Sequence, residues 1–245
     1  MPGSCFADRL GDIVSLTPDE RLALERLETR RQPLRRGAIL QRERDSVRDL
    51  YILRQGVAMS SVLLDDGSRQ ILRFHVAGDM LGTAAMVYRE ATETITALTD
   101  CLVSPFARST FATLFGAQPR LMALIMVYNQ IERAALTDRL AVLGRTSARA
   151  RVAAILLDMR NRLQTRDSSI GTSFVLGLTQ EEIGDATGLT AVHVNRMLRQ
   201  LEVDRLIARE GGRMTFLDER ELERAANFVD RYAKVDLSWL PEASG

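Results

Sequence analysis

The sequence predicts an α+β chain in three parts: a β-rich N-terminal domain, one long helix, and a helical C-terminal domain ending in a small β-ribbon. Three observations carry this. Residues 50–82 are short apolar runs cut by turn signals at Gln55-Gly56, Asp66-Gly67 and Gly78-Asp79. Residues 120–143 contain neither Gly nor Pro, and their apolar residues recur at helical spacing. Residues 178–216 hold two short capped helices joined at a glycine, followed by a Gly211-Gly212 hairpin.

Composition bounds the alternatives. The chain has 245 residues, 46% hydrophobic and 27% charged, which suits one or two packed domains and is too apolar for wholesale disorder. No apolar run approaches the ~20 residues needed to span a bilayer, and "MPGSCFADRL" lacks the pattern of a signal peptide. A cytoplasmic protein without membrane association is expected. Cys5 and Cys101 are the only cysteines, too few for a disulfide framework, a four-thiolate zinc site or a cysteine-ligated iron–sulfur cluster. The net charge of +1 conceals an asymmetry: residues 145–217 carry 11 basic and 8 acidic side chains, whereas residues 218–245 carry 4 and 7. A mild positive excess therefore lies in the segment with the two short helices.

In the N-terminal part, residues 70–76 alternate. Leu72, Phe74 and Val76 share one face, and Arg73 and His75 share the other, the period of a half-buried strand. This places His75 at the surface. The turn Asp65-Asp66-Gly67-Ser68 closes an antiparallel hairpin. Further strands are expected at residues 39–40, 94–98 and 102–106. Many short strands with glycine turns suggest a small barrel or sandwich.

The long helix starts near Pro119 and stops near Gly144, a length of about 35 Å. Leu121, Leu124, Tyr128, Ile131, Ala135 and Val142 form its apolar stripe, with Asp138 interrupting the register. A packed core helix and a parallel dimer seam both fit. The narrow stripe and the position between domains favour the seam. A second amphipathic helix follows over residues 149–163, then a polar loop over 164–173.

The most informative stretch is "LTQEEIGDATGLTAVHVNRMLRQLEVDRLIAREGGRMTF". Thr179 and Glu182 form a capping box that starts one short helix, with Ile183 and Ala186 facing inward. Gly184 leaves room for a crossing helix, and Gly188 supplies the left-handed turn that ends the first one. Thr190 caps a second helix whose buried face is Val194, Met197, Leu198 and Leu201. Its other face presents Ala191, Val192, Asn195, Arg196 and Arg199, with His193 at the edge. Two short helices joined by a glycine turn make a helix-turn-helix, and such a second helix suits the major groove of DNA. The following ribbon is a wing with Arg209 and Arg213 near its tip, and Asp218 with Glu221 caps a last helix.

These motifs, together with "LYILRQGVAMSSVLLDDGSRQILRFHVAGDMLG", resemble the Crp/Fnr superfamily of bacterial regulators over almost the whole chain. The superfamily is named after the cyclic-AMP receptor protein and the fumarate–nitrate reduction regulator. The resemblance implies a β jelly-roll sensor of the cyclic-nucleotide-binding type (residues 1–118), a dimerisation helix (119–144) and a winged helix-turn-helix with a helical tail (145–245). Arg196 holds the place of the family's guanine-reading Arg. Val192 stands where an acidic residue typically accepts a hydrogen bond from cytosine. Asn195 and His193 occupy positions used for base or phosphate contacts. Thr179, Gln180 and Thr190 match phosphate-contacting positions at helix N-termini.

The sensor departs from the family's nucleotide-binding pattern. Gly82 is followed by Thr83 where cyclic-nucleotide binders carry Glu, and Ala91-Thr92 stand where Arg-Ser is expected. Arg89 could supply the missing cation from a shifted position, so Gly82, Thr83, Arg89 and Thr92 are the candidate effector residues. Loss of a charge-assisted phosphate pair, about 1.5–3 kcal/mol per bond, argues against tight cyclic-AMP binding. Two cysteines argue against the family's four-cysteine cluster, and Cys5 and Cys101 read as incidental or buried thiols more than redox sensors.

The expectation is a homodimeric transcription regulator that binds double-stranded DNA at a pseudo-palindromic operator under an unidentified signal, with RNA polymerase as a partner if it activates. A ligand-binding or protein-interaction module whose winged helix contacts protein is the alternative. An enzyme is disfavoured, because no paired carboxylates, nucleophile–base pair or phosphate-cradling loop emerges.

Overall fold

The fold is that of a computed structural model, described here for residues 3–233 and 235–241. The chain divides into two compact units: Met1–Val62, Arg73–Arg133 and Tyr232–Gly245 form one, and Leu63–Leu72 with Ala134–Arg231 form the other. This division does not follow the sequence boundaries expected at residues 118 and 144. It falls inside the long helix and assigns the tip of a β-hairpin to the second unit.

The first unit opens with two helices for which the sequence reading gave no expectation, α1 (Cys5–Gly11) and α2 (Pro18–Leu27). Local chemistry explains both. The Glu28 carboxylate accepts the backbone amides of Cys5 (3.1 Å) and Phe6 (3.0 Å) at the N-terminus of α1, where unpaired N–H groups favour an anion. Arg54 pairs with the same carboxylate, and both are buried. Helix α2 starts with Pro18 at its first position and a complete capping box between Thr17 and Glu20.

Strands β1 (Gln32–Leu34), β2 (Ile39–Gln41), β3 (Asp49–Gln55), β4 (Val57–Leu63), β5 (Arg69–Val76), β6 (Met80–Leu81), β7 (Thr94–Ala97) and β8 (Cys101–Ala107) follow. They form two four-stranded sheets, β1-β8-β3-β6 and β2-β7-β4-β5. Leu53, Leu81 and Val103 from the first sheet meet Ala58, Ile95 and Ala97 from the second in one apolar cluster. The expected hairpin is present between β4 and β5: Leu64 N donates to Ser68 O at 2.8 Å, and Gly67 N to Leu64 O at 2.9 Å.

Helices cover the first sheet. Phe6, Leu10, Leu24 and Leu27 of α1 and α2 pack with Leu50, Ile52 and Phe106, with Phe111 and Leu114 of α3 (Arg108–Ala117), and with Leu121, Met122, Ile125 and Tyr128 of α4 (Pro119–Arg145). Phe6 meets the Tyr128 ring edge-to-face at 5.7 Å. The stripe read as a dimer seam is thus largely engaged within one chain. Leu121, Leu124, Tyr128 and Ile131 are buried, and Ala135 and Val142 are half-buried. Leu121 and Tyr128 are spent on the unit's own core because α1 and α2, not anticipated from the pattern, pack there. The exposed large apolar side chains of α4 are Met126, Leu136 and Leu140.

The second unit contains α5 (Ala148–Arg166), β9 (Ser173–Phe174), α6 (Gln180–Thr187), α7 (Ala191–Val203), β10 (Ile207–Glu210), β11 (Arg213–Phe216) and α8 (Glu219–Ala226). The three strands form one antiparallel sheet, β10-β11-β9, in which Phe174 and Phe216 meet edge-to-face at 5.2 Å. Val152, Leu156, Ile183, Val194, Leu201, Ile207 and Leu222 are buried, so α5, α6, α7, β10 and α8 all contribute to its core. Ser147 caps α5 through Ala150 N, and Asp218 caps α8 through Glu221 N. Among the described residues, no helix is long and apolar enough to cross a membrane.

Candidate nucleic-acid interface

Helices α6 and α7 are set by the chemistry of their ends. Thr179 Oγ1 accepts from Glu182 N at 3.1 Å while the Glu182 carboxylate accepts from Thr179 N at 2.7 Å, the expected capping box. Gly188 ends α6 in the left-handed conformation at φ 67°. Gly184 is needed for a different contact from the one its position in the pattern suggests. A Cβ there would lie well inside 3.0 Å of the Leu189 carbonyl oxygen, so the close approach is the turn's own backbone rather than a crossing helix. Thr190 Oγ1 then accepts from His193 N at 3.3 Å to start α7.

Two arginines close the C-terminal end of α6. Arg139 donates to Ala186 O at 3.0 Å and also to Ile71 O (2.7 Å) and Leu72 O (2.6 Å) of β5. Arg151 donates to Thr187 O at 2.8 Å. The last carbonyls of α6 lack partners inside the helix and carry its partial negative charge, so guanidinium groups are favourable there. Arg69 of β5 pairs with Asp185 of α6 at 2.6 Å. None of these fixing residues was singled out from sequence. Their acceptors are mostly backbone oxygens distant along the chain, which leave no local pattern.

Helix α7 buries Val194, Met197, Leu198 and Leu201, as its periodicity predicts. Its other face is open: Val192, Arg196 and Arg199 are exposed, and Ala191, His193 and Asn195 are half-buried. Thr179, Gln180 and Thr190 are exposed at the starts of α6 and α7. Arg196 Nη2 donates to His193 Nε2 at 3.0 Å, which orients the guanidinium on the helix surface. The two wing arginines are both held. Arg209 grips Glu202 of α7 through Nε (3.0 Å) and Nη2 (2.7 Å), and this bond holds the Glu202 carboxyl below its usual range. Arg213 donates to Ser173 Oγ (3.2 Å) and Ser173 O (2.8 Å), yet its residue remains exposed. Arg209 thereby braces the wing against α7, while Arg196 and Arg199 remain as the outward cations of that helix. This surface suits a duplex: guanidinium forks for guanine or phosphate, an amide for adenine, and helix N-termini for phosphate oxygens.

In the first unit the candidate effector residues differ in burial. Gly82 is buried at φ 68° and begins a 3₁₀ turn over Thr83–Met86, Thr83 is half-buried, and Arg89 and Thr92 are exposed. The charged groups inside belong to another set. His75 is buried, not on the surface as strand alternation suggested. Its Nε2 is hydrogen-bonded to Ser60 Oγ at 2.7 Å, and its Nδ1 lies 3.9 Å from Asp79 Oδ2. Both faces of β5 are covered at this end, so a two-fold pattern cannot separate inside from outside. Tyr128 OH donates to Asp79 Oδ1 at 3.1 Å, and Arg9 and Arg73 each lie 3.8 Å from the same carboxylate. Arg73 also pairs with Glu132, which receives the Tyr232 hydroxyl, and Arg9 lies over the Tyr232 ring at 4.5 Å. Glu93 is raised above the ordinary carboxyl value mainly by burial, with the Ser60 hydroxyl and the Arg73 charge opposing that shift.

A cyclic-nucleotide phosphate would have to displace Asp79 and Glu132 from Arg73 in an interior that also holds Glu93. The residues present do not fit it. Cys101 is buried, with its Sγ 3.3 Å from Val57 O, and burial pushes its thiol upward, the setting of an unreactive cysteine. Cys5 is half-buried, with its Sγ 3.5 Å from Arg54 O. Among the described residues, no group of three or more His, Cys, Asp or Glu could hold a metal ion.

Comparison with known proteins agrees with the architecture. Residues 31–118 match the cyclic nucleotide-binding domain and residues 150–225 the Crp-like helix-turn-helix domain. The fumarate and nitrate reduction regulatory protein of Vibrio cholerae is 28% identical over 222 residues, 91% of this chain and 88% of that protein. Its Escherichia coli counterpart is 27% identical over 229 residues, 94% and 91% of the respective chains. Among solved structures, FixK2 from Bradyrhizobium japonicum superposes with a TM-score of 0.73 at 25% identity, covering 82% of this chain and 98% of that one. A CRP-family transcriptional regulator from Thermus thermophilus gives 0.65 at 26% identity, covering 80% and 97%. With a β-roll ahead of a long helix and a winged helix-turn-helix behind it, the chain belongs to the Crp/Fnr superfamily of transcription regulators.

Proposed function

We propose that this regulator binds a pseudo-palindromic operator as a homodimer, with α7 of each copy in successive major grooves about 34 Å apart. The observation that carries the reading is the open face of α7. Arg196 and Arg199 point outward from a helix whose other side is fully packed, and Arg209 of the wing is tied to Glu202 of the same helix. In this reading Thr179, Gln180, Thr190 and Arg213 contact phosphates, and Ala191, His193 and Asn195 line the groove. The exposed Met126, Leu136 and Leu140 of α4 support a seam between copies in place of the buried stripe. The signal enters at the first unit and is not a cyclic nucleotide, since the interior arginines there are already paired. RNA polymerase is a partner if the protein activates.

Fluorescence anisotropy with labelled palindromic duplexes tests this. Log K is expected to fall linearly with log salt, and sedimentation is expected to give twice the chain mass. Arg196→Ala is expected to cost about 1–3 kcal/mol and relax preference at one base pair per half-site. Salt-dependent binding that ignores sequence in wild type and variant alike would remove Arg196 from the role of base reader. Absence of duplex binding would favour a protein-contacting module.

A further inference from the structure

The large side chain of Val192 stands on the open face of α7 without any hydrogen-bonding role to account for it. Val192 is 82% exposed in the first turn of the helix, one turn before Arg196 and beside His193 and Asn195. Branching at Cβ lowers helix propensity, and an exposed side chain recovers nothing by packing, so stability does not explain valine there. Exposure by itself marks nothing: Val203 is 80% exposed at the far end of α7, where no base-reading side chain accompanies it. The neighbours make Val192 different.

Resting on the operator-binding reading above, we propose that Val192 is a specificity determinant that reads the C5-methyl group of a thymine. In the major groove, thymine alone offers an apolar group, while the other base edges present donors and acceptors that an isopropyl group cannot satisfy. A guanine or cytosine beneath Val192 would lose groove water without replacement; a thymine methyl gains contact. The rigid χ1 of valine fixes its two methyls ahead of binding, and the Arg196–His193 bond does the same for the guanidinium one turn on. Side chains at i and i+4 stand about 5–6 Å apart, and base pairs are spaced about 3.4 Å along each strand. The thymine therefore lies within two base pairs of the guanine read by Arg196.

The test uses the full chain and a preferred duplex selected from a randomised palindromic pool. Each thymine of the half-site is replaced in turn by uracil, which removes only the methyl group, and affinity is measured at fixed salt. One position is expected to weaken about fourfold per half-site, the worth of burying one methyl group, and that position is expected to neighbour the guanine whose preference Arg196→Ala abolishes. Val192→Ala, at an exposed site, is expected to bind the thymine and uracil duplexes equally. Specific binding in which uracil costs nothing near that guanine, or in which the cost persists in Val192→Ala, would overturn the inference and leave the operator-binding reading intact. Loss of all salt-dependent duplex binding in the wild type would overturn both.

Discussion

Replacing Gly184 with Ala tests the geometry of the corner between α6 and α7. In an ordinary helix interior this change is favourable by about 0.5–1 kcal/mol, because Gly loses more backbone freedom on folding. Here the added methyl would lie well inside 3.0 Å of Leu189 O and 3.4 Å from Leu189 C. Both neighbours are backbone atoms, so relief requires the turn to move, and overpacking of this kind costs about 1–3 kcal/mol. The bond from Leu189 N to Gly184 O, now 3.0 Å, would weaken as the turn moves, a further cost of about 1 kcal/mol. The net expectation is destabilisation by about 1–3.5 kcal/mol. Urea unfolding followed by circular dichroism is expected to show the second unit melting earlier, with duplex affinity falling because α7 is displaced. Gly188→Ala gives a contrast. Its methyl would meet nothing nearer than Arg151 Nη1 at 3.7 Å, so its cost comes from the positive φ alone, about 1–2 kcal/mol. A Gly184→Ala protein as stable as wild type, with unchanged affinity, would refute the claim that backbone contact sets this corner.

Two further outcomes are expected. Arg139→Leu removes one guanidinium from three carbonyls and is expected to destabilise the second unit by about 1.5–3 kcal/mol, the worth of a charge-assisted bond, with hydrogen exchange quickening first at the end of α6. Glu93→Gln bears on pH. The half-buried carboxyl is raised, mainly by desolvation, so its neutral form suits the fold: its contribution is fully present below the unfolded value near 4.5 and is lost as pH rises through the folded one. The Gln variant is therefore expected to be more stable than wild type at neutral pH, with the difference vanishing in acid, as urea midpoints across pH would show.

How much of this was legible in the sequence depends on the range over which each signal acts. The hairpin turn at Asp66-Gly67, the Thr179–Glu182 capping box and the buried face of α7 are all written within a few residues, and the structure matches them. Helix α2 carries a start signal of the same short range in Thr17, Pro18 and Glu20. His75 was misplaced because alternation distinguishes two faces and cannot tell a solvated face from one lined by Ser60 and Asp79. The stripe on α4 showed correctly that one face is buried, but periodicity carries no label for what covers it. Arg139 could not have been found: nothing near it in sequence hints at acceptors at residues 71, 72 and 186.

The hold of Arg139 has a practical consequence for building chimaeras. Exchange of a sensing half between relatives invites a junction at Gly144, where helix-breaking residues suggest a clean seam. A graft made there would import the donor's own residue 139 and its own strand carbonyls, so two foreign partners would meet the recipient's α6. A junction between Arg133 and Ala134, transplanting Leu63–Leu72 alongside the C-terminal segment, keeps these partners from one parent.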